Sequence, residues 1–373
     1  MLQVSDLRAS ARTPPRGVRV DLGASRANPR QRPAARTRPG GRAGAAACAA
    51  AALVASSGCA AHLPRADERV PFLERSYVSL TTDRRQAFEA DPALHLVLWN
   101  GLEDPGLQES GGVTTSLSMS FLGMFRLLRE DSTPVRTPTY EPRAKLQIFA
   151  AARPEDAGAA PRGPRTLAAL ELSVGHRSNG QQGCALTDHL RTGKGDFDCV
   201  PLTDPPSERL DLSAGSFTTN YLGAAVGGLR QLGAGRGRAI LSARSSAEWN
   251  VPCGLGACMP AQMRRRYGAV VGRASAELEL PALWHVTRAL PLVAAHSELG
   301  LRLGLAGSRH LGTVARPAFG DLAAEVTLLA RAPRSLGLGL FLRRQQGRDP
   351  LNIRFEERLD AWMVGFVAEP GAP

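Results

Sequence analysis

Residues 166–180 have the sequence TLAALELSVGHRSNG, and this stretch decides the fold that we expect for the chain. Side chains along a β-strand alternate between two faces, and here the even-numbered positions from Ala168 to Val174 are apolar. The odd-numbered positions include Glu171, Ser173 and Arg177. In a transmembrane barrel the apolar face meets lipid and the polar face lines the interior. The pattern therefore predicts a membrane strand, with Glu171 paired to an arginine across the lumen.

His176 and Ser178 continue the apolar, even-numbered face of this strand at its end. Two residues on one face of an extended strand lie about 7 Å apart along the backbone, a gap that their side chains can close. Histidine is the usual base that activates a serine nucleophile. A nucleophile and a base that face the membrane suit a lipid substrate, whereas the sealed core of a soluble enzyme would leave them little access.

The chain from about residue 70 onward is predicted to be all-β, a transmembrane antiparallel β-barrel. Many stretches alternate, and lengths near ten residues suit membrane strands. The low aromatic content of 5% and the ending EPGAP, which lacks a terminal aromatic residue, are atypical of such barrels, so a soluble β-sandwich or soluble barrel is the alternative. The predicted strands are Leu94–Trp99, Thr115–Leu127, Lys145–Ala152, Thr166–Arg177, Asn220–Leu232, Arg238–Trp249, Tyr267–Leu278, Ser297–Ala306, Leu322–Ala330, Leu336–Arg343 and Leu359–Val367.

The N-terminal region has the order of a bacterial export signal. Residues 1–42 hold ten arginines against two aspartates, so of the net charge of +12 only about +4 belongs to the remainder, and no nucleic-acid-binding surface is implied. The short apolar run 43–58 follows and ends at Cys59. We expect residues 1–58 to be an Arg-rich export signal and residues 59–373 to be the barrel domain. Either Cys59 is a lipid anchor, or ordinary cleavage occurs close by.

Apart from Cys59, four cysteines follow the signal, and they form two close pairs in Gly/Pro-rich surroundings. Cys184 is near Cys199, and Cys253 is near Cys258. An exported protein enters an oxidising compartment, so two local disulfides are predicted. A zinc site is the alternative, although no histidine has ligand spacing to both pairs.

The segment HRSNG at 176–180 resembles the active-site segment of the outer-membrane phospholipase A family, the detergent-resistant phospholipases of bacteria. Three further matches support this resemblance: Glu171 five residues before His176, RTPTYEP at 136–142, and SFTTN at 216–220. The stretch DPLN at 349–352, followed by Arg354 and Phe355, is a looser match. The resemblance implies a barrel of about 12 strands. Its motifs are specific only between about residues 130 and 225.

The resemblance implies roles for three residues. Ser178 falls on the nucleophile, His176 on the general base, and Asn220 on the residue that orients the histidine. Asn220 is predicted to open the next strand on the lipid-facing side, one inter-strand spacing of about 5 Å away. The implied activity is hydrolysis of acyl ester bonds of phospholipids in the outer membrane by a homodimer.

The same resemblance implies calcium beside the nucleophile, at the interface of two subunits. The matching ligands are the Ser216 hydroxyl, the backbone carbonyl of Gln181 and Ser132 of the second subunit. Oxygen ligands without a carboxylate fit a hard cation that is held weakly. The cation and the Gly180 N–H would stabilise an oxyanion. The segment 181–215 is longer than in the family, and it could supply calcium oxygens, act as a lid or be a surface insertion.

Two other functions remain open from the sequence. The chain could be a non-catalytic outer-membrane barrel, a pore or structural protein, although a pore has no need of a nucleophile that faces lipid. It could also be a secreted or lipid-anchored esterase, which would be soluble without detergent. Head-group preference, acyl-position preference and the true start codon do not follow from the sequence.

Overall fold

The computed structural model describes residues 70–369 with several gaps. Outside the described part lie the export signal, Cys59, Ser132 and the pair Cys253 and Cys258. Among the described residues no helix is long and apolar enough to cross a membrane. The gaps are residues 84, 105–106, 108–110, 130–134, 153–165, 194–197, 206–208, 234–237, 253–258, 287–296, 314–319, 332–336 and 351.

Almost all of the regular structure is β-strand. In the part of the chain that the structure describes, the short helix α1 (Ala261–Tyr267) and 3-10 turns at Gly101–Glu103 and Asn352–Arg354 lie between strands. The strands are β1 (Ser76–Thr81), β2 (Gln86–Asp91), β3 (Ala93–Asn100), β4 (Gly112–Leu128), β5 (Val135–Ala152), β6 (Thr166–Ser178), β7 (His189–Arg191), β8 (Cys199–Pro201), β9 (Thr218–Leu232), β10 (Ala239–Asn250), β11 (Val270–Val286), β12 (Ser297–Leu311), β13 (Asp321–Arg331), β14 (Gly337–Arg348) and β15 (Arg358–Glu369).

The sheet closes on itself and forms an antiparallel barrel. Each long strand pairs with its neighbours in sequence, and β1 pairs with both β15 and β2. Strands β2 and β3, separated by Pro92, both pair with β4 and together occupy one strand position. The barrel therefore has 12 strands, with β7 and β8 as a separate hairpin in the segment between β6 and β9. The sheet closes through the β1–β2 and β2–β4 pairings, as membrane-spanning β-structure requires, and within the described residues β3 pairs with β4 only.

The outer surface of the barrel is apolar. Leu80, Val113 and Phe366 are 62%, 73% and 65% exposed, and many leucines share this surface. Trp249 and Trp362 are exposed near one rim and Trp99 near the other, in the manner of interfacial aromatic residues. A soluble protein rarely exposes so large an apolar area, so the soluble sandwich or barrel considered as an alternative is wrong.

The lumen is filled by charged side chains and by the segment that precedes β1. Glu74 accepts hydrogen bonds from Lys145 Nζ (2.6 Å) and Arg143 Nη1 (2.9 Å) on β5. Arg75 contacts Glu325 on β13 through its Nη1, at 2.8 Å. Because β5 and β13 are six strands apart in the sheet, these two consecutive residues bridge opposite walls. A further lumenal ion pair joins Arg244 Nη2 to Glu171 Oε1 at 2.6 Å. Glu171 thus pairs with an arginine as predicted, but Arg244 is on β10, two strands away, and not across the lumen.

Both ends of the barrel contain apolar clusters. At the end where β1 begins, Val70 packs with Phe149 and Leu167 of the inner wall. At the opposite end a second cluster joins three connections: Phe217 from the segment 179–217, Met263 from α1, and Phe355 from the β14–β15 connection. The 179–217 segment is thus packed onto the barrel end.

The predicted strands lie at the observed strands, but several ends differ. The largest error is at β5, which was predicted to begin at Lys145 and begins at Val135. Tyr267 ends α1 rather than beginning β11. Strands β1 and β2 were not predicted, since each has only six residues and carries few large apolar side chains.

Candidate active site

His176 and Ser178 lie at the C-terminal end of β6, on the outer surface of the barrel. Burial alternates along this strand, and Leu170, Leu172 and Val174 on the same face are all exposed. Arg177 between them points inward and is buried. The predicted lipid-facing parity of His176 and Ser178 is confirmed.

Asn220 lies directly opposite His176 on β9. The two residues are register partners, and His176 Nδ1 is 2.8 Å from Asn220 Oδ1. An amide oxygen only accepts, so Nδ1 carries the proton in this hydrogen bond. The other ring nitrogen, Nε2, is then left with its lone pair and can act as a base. This is the arrangement by which a triad's third member fixes the histidine tautomer.

Ser178 makes a local hydrogen bond in this structure. Its Oγ accepts from the backbone N–H of Gly180 at 3.1 Å, and within the described part of the chain it has no hydrogen bond to His176. Such nucleophile–base contacts are often open in the absence of substrate. Gly180 has a φ of 67°, a left-handed conformation that favours glycine, and its N–H points at Ser178 Oγ.

Asn179 anchors the turn that follows Ser178, a role the sequence analysis missed. The side chain is 1% exposed, and its Nδ2 donates to Gly215 O at 2.8 Å. Its Oδ1 accepts from Phe217 N (2.9 Å) and from Gln181 N (3.2 Å). The signal was present in the Asn-Gly pair at 179–180, which is typical of a tight turn with local side-chain bonds.

Two of the three predicted calcium ligands are brought to the same turn. Asn179 Oδ1 accepts from the backbone of Gln181 and also of Phe217, the neighbour of Ser216. Ser216 N donates to Gly183 O at 2.9 Å, which fixes this residue against the beginning of the long segment. The chemistry of the pair, a hydroxyl and a carbonyl oxygen, fits a hard cation. The described residues contain no group of three His, Cys, Asp or Glu side chains that could hold a metal by themselves.

Asp211 organises the approach to Ser216. Its Oδ1 accepts from Ser213 N (2.9 Å), Ser213 Oγ (2.6 Å) and Ala214 N (3.1 Å). Partial burial alone would raise the pKa of Asp211, but these three donors lower it below its usual value. The carboxylate is therefore ionised at neutral pH and holds the 211–215 turn closed.

The long segment between β6 and β9 is a folded part of the barrel end. Cys184 and Cys199 form the predicted disulfide, which encloses part of this segment. Ala185, Leu210 and Leu212 pack against the apolar cluster that contains Phe217. Apolar side chains on both sides of the hairpin β7–β8 are therefore docked on the barrel end, whereas Leu190 and Val200 of the hairpin are 54% and 50% exposed.

Tyr140 is a further residue of the outer surface, beside Ser178. It is the register partner of Ser178 on β5, and it is partly exposed. Its ring contacts Phe121 and Phe125, with centroids 6.3 Å and 6.2 Å away. The sequence analysis gave Tyr140 no role of its own, although its position in the matched segment was a signal. An aromatic surface of this kind suits contact with hydrocarbon.

Comparison with known proteins gives similarity in fold. No protein-family model matches the chain, and no curated protein matches its sequence. Outer membrane phospholipase A from Escherichia coli has 12% sequence identity and a TM-score of 0.43, with 79% of this chain and 96% of that chain covered. The Salmonella typhi outer membrane phospholipase dimer with bound calcium has 13% identity and a TM-score of 0.42, with 82% and 95% covered.

A third solved structure, the β domain of the Bordetella autotransporter Brka, has 11% identity and a TM-score of 0.38, covering 79% of this chain and 97% of that chain. The architecture described above, a closed 12-strand barrel with an apolar outer surface, is that of bacterial outer-membrane proteins.

Proposed function

We propose that this barrel is a calcium-dependent outer-membrane phospholipase that hydrolyses acyl ester bonds through Ser178, His176 and Asn220. The observation that carries the proposal is the hydrogen bond between His176 Nδ1 and Asn220 Oδ1 (2.8 Å) on the outer surface, two residues from an exposed-face serine. An ionisable side chain such as that of His176 is costly to place against hydrocarbon, and such residues mark functional sites.

The proposed reaction is acyl transfer to the serine. His176 Nε2 takes the proton of the Ser178 hydroxyl as the oxygen attacks the ester carbonyl, and the lysolipid leaves with that proton. Water then attacks the acyl-enzyme, with His176 again as the base. The bond between the acyl group and Ser178 Oγ breaks, His176 returns the proton to Ser178, and the fatty acid is released. Asn220 holds the imidazole tautomer, and its neutral side chain avoids a formal charge at the hydrocarbon edge.

The oxyanion would be stabilised by the Gly180 N–H, which already points at Ser178 Oγ. Calcium, when bound, supplies positive charge beside this oxygen. The Ser216 hydroxyl and the Gln181 carbonyl would hold the ion together with Ser132 of a second copy of the chain. The active form is therefore a homodimer, and residues 1–58 are removed as an export signal, with Cys59 as a possible lipid anchor.

A non-catalytic pore is the second candidate. Glu74 and Arg75 lie in the interior and pair with opposite walls, and this crossing segment argues against an open channel. A secreted soluble esterase is disfavoured by the exposed leucines and aromatic residues around the barrel.

The test is fatty-acid release from phospholipid in mixed micelles by the purified protein, with calcium and with chelator. We expect activity with calcium, its loss with chelator and its loss in Ser178→Ala. Ser245→Ala is the matched control, because Ser245 is an exposed serine of the same outer face on β10. No hydrolysis under any condition would overturn the proposal.

A further inference from the structure

We infer that Arg177 and Glu141 are positioning residues, which hold His176 and Asn220 in alignment from inside the barrel. The inference rests on the proposed function for its meaning in catalysis, and on the lumenal contacts for its geometry. Neither residue touches the outer surface where substrate would bind, since their side chains are 6% and 7% exposed and lie in the lumen.

Arg177 separates His176 from Ser178, and its guanidinium is held on several sides. Nε donates to Glu141 Oε2 at 2.7 Å, and Nη2 donates to Glu248 Oε2 at 3.0 Å. Its Cζ lies 5.1 Å from the centroid of the Tyr221 ring. A planar fork fixed at two carboxylates and one aromatic face cannot rotate without breaking contacts. The peptide units on both sides of Arg177 are fixed with it.

Tyr221 fixes the backbone of the neighbouring strand β9 in the same way as Arg177 fixes that of β6. It follows Asn220 directly, has no exposed surface, and donates its hydroxyl to Glu141 Oε1 at 2.6 Å. Its hydroxyl lies over Gly175, so closely that a Cβ at this glycine would come within 2.3 Å of it. Glycine before His176 is thus required by the tyrosine on the neighbouring strand.

Glu141 is the point at which the two strands are joined inside the barrel. One carboxylate oxygen takes the bond from Arg177 on β6, and the other takes the bond from Tyr221 on β9. Arg143 of the same strand also pairs with this carboxylate. On the outer surface, the residues adjacent to these two anchors are His176 and Asn220, which face each other across the same strand pair.

We call Glu141, Arg177 and Tyr221 the inner clamp. Their contacts limit how far His176 and Asn220 can move on the outer surface. In a strand the neighbouring side chains point to opposite faces, so fixing the inward residue fixes the direction of the outward one. A displacement of about 1 Å at a reacting group can lower the rate about 100-fold. The clamp is therefore expected to affect the chemical step more than the binding of lipid on the outer surface.

The test compares kcat and KM of Glu141→Gln, Arg177→Lys and Tyr221→Phe with those of Glu325→Gln. Glu325 is a matched control, because it is a buried lumenal carboxylate paired with arginines on the other side of the barrel. We expect kcat to fall roughly 10- to 100-fold in the three clamp variants, with KM within about twofold. Glu325→Gln should leave kcat unchanged.

A second measurement does not need turnover. The imidazole ¹⁵N spectrum of His176 in the detergent-solubilised protein should show the Nδ1–H tautomer, and the clamp variants should show a mixed population. Tyr221→Phe removes only one hydroxyl. It provides the comparison if Glu141→Gln and Arg177→Lys fail to fold.

The two proposals fail in different ways. A wild-type protein without hydrolysis overturns the proposed function, while the tautomer comparison still decides the clamp. Equal losses in Glu325→Gln and Glu141→Gln, or unchanged kcat and tautomer in all three clamp variants, would overturn the positioning role.

Discussion

His176 Nδ1 is bonded to Asn220 Oδ1 at 2.8 Å across the β6–β9 strand pair, on the side of the barrel that faces lipid. The two residues are 44 positions apart in the chain and meet because the intervening segment returns β9 to the edge of β6. The bond sets one tautomer and leaves Nε2 free to accept a proton, which is the property a general base requires.

Asn220→Ala should lower kcat by roughly 100- to 10,000-fold while the barrel stays folded, because loss of the acceptor frees the imidazole to adopt the wrong tautomer. The loss should be smaller than that of Ser178→Ala. Asn220→Asp keeps the acceptor and should recover part of the activity, limited by the cost of a charge near hydrocarbon. Steady-state kinetics check this, with Asn100→Ala at the opposite end of the barrel as control. An Asn220→Ala enzyme as active as Asn100→Ala would remove Asn220 from the site.

Calcium should bind the dimer better than the monomer, because Ser216 and Ser132 are proposed to reach one ion only from two subunits. By linkage, calcium then stabilises the dimer by the same coupling free energy. With neutral ligands the affinity should be modest, and activity should rise with calcium well above trace concentrations. Sedimentation in detergent with and without calcium measures this.

Mixed dimers provide a sharper version of this prediction. A dimer of Ser132→Ala with Ser178→Ala should have about half of the wild-type activity, since one of its two sites is complete. Mixed dimers as inactive as either parent, or full activity after chelation, would contradict the shared site. The 181–215 segment would then be the next place to look for a metal site.

The disulfides should both be present in the exported protein. The structure contains Cys184–Cys199, whose 15-residue separation gives an expected stabilisation of about 3 kcal/mol. Non-reducing mass mapping should find this bond and a second one between Cys253 and Cys258. The Cys184→Ser/Cys199→Ser double variant should be cut faster by protease within 179–217, whereas the corresponding variant of the second pair should leave that segment protected. Four free thiols in the mass map would contradict the prediction.

The lumenal ion pairs should contribute strongly to stability. Glu74→Ala leaves the buried ammonium of Lys145 without its partner, and such a loss costs about 3–5 kcal/mol. The unfolding midpoint, followed by the electrophoretic shift on heating, should fall clearly. Arg85→Ala removes an exposed ion pair with Glu357 and should change stability by less than about 1 kcal/mol. Equal losses of stability in the two variants would show that the buried lumenal pair stabilises the barrel no more than the exposed pair does.

The alternation within residues 166–180 was sufficient to predict the strand, its two faces and the outward direction of His176 and Ser178. Asn220 followed from the resemblance and from the parity it shares with Leu222. The clamp at Arg177 could not be predicted, because Glu141 and Glu248 are 36 and 71 residues away and meet Arg177 only once the barrel closes. Docking of the 179–217 segment also depends on long-range packing, here of Phe217 against α1.

Covalent labelling of Ser178 tests the central claim most directly. A long-chain alkyl sulfonyl fluoride presented in micelles with calcium should form one adduct per reactive chain, and peptide mass mapping should place it on Ser178. His176→Ala should abolish labelling, since the serine would lose its base, and Ser245→Ala should leave it unchanged. An adduct at another residue, or labelling of Ser178 that persists in His176→Ala, would contradict a lipid-facing site built from Ser178, His176 and Asn220.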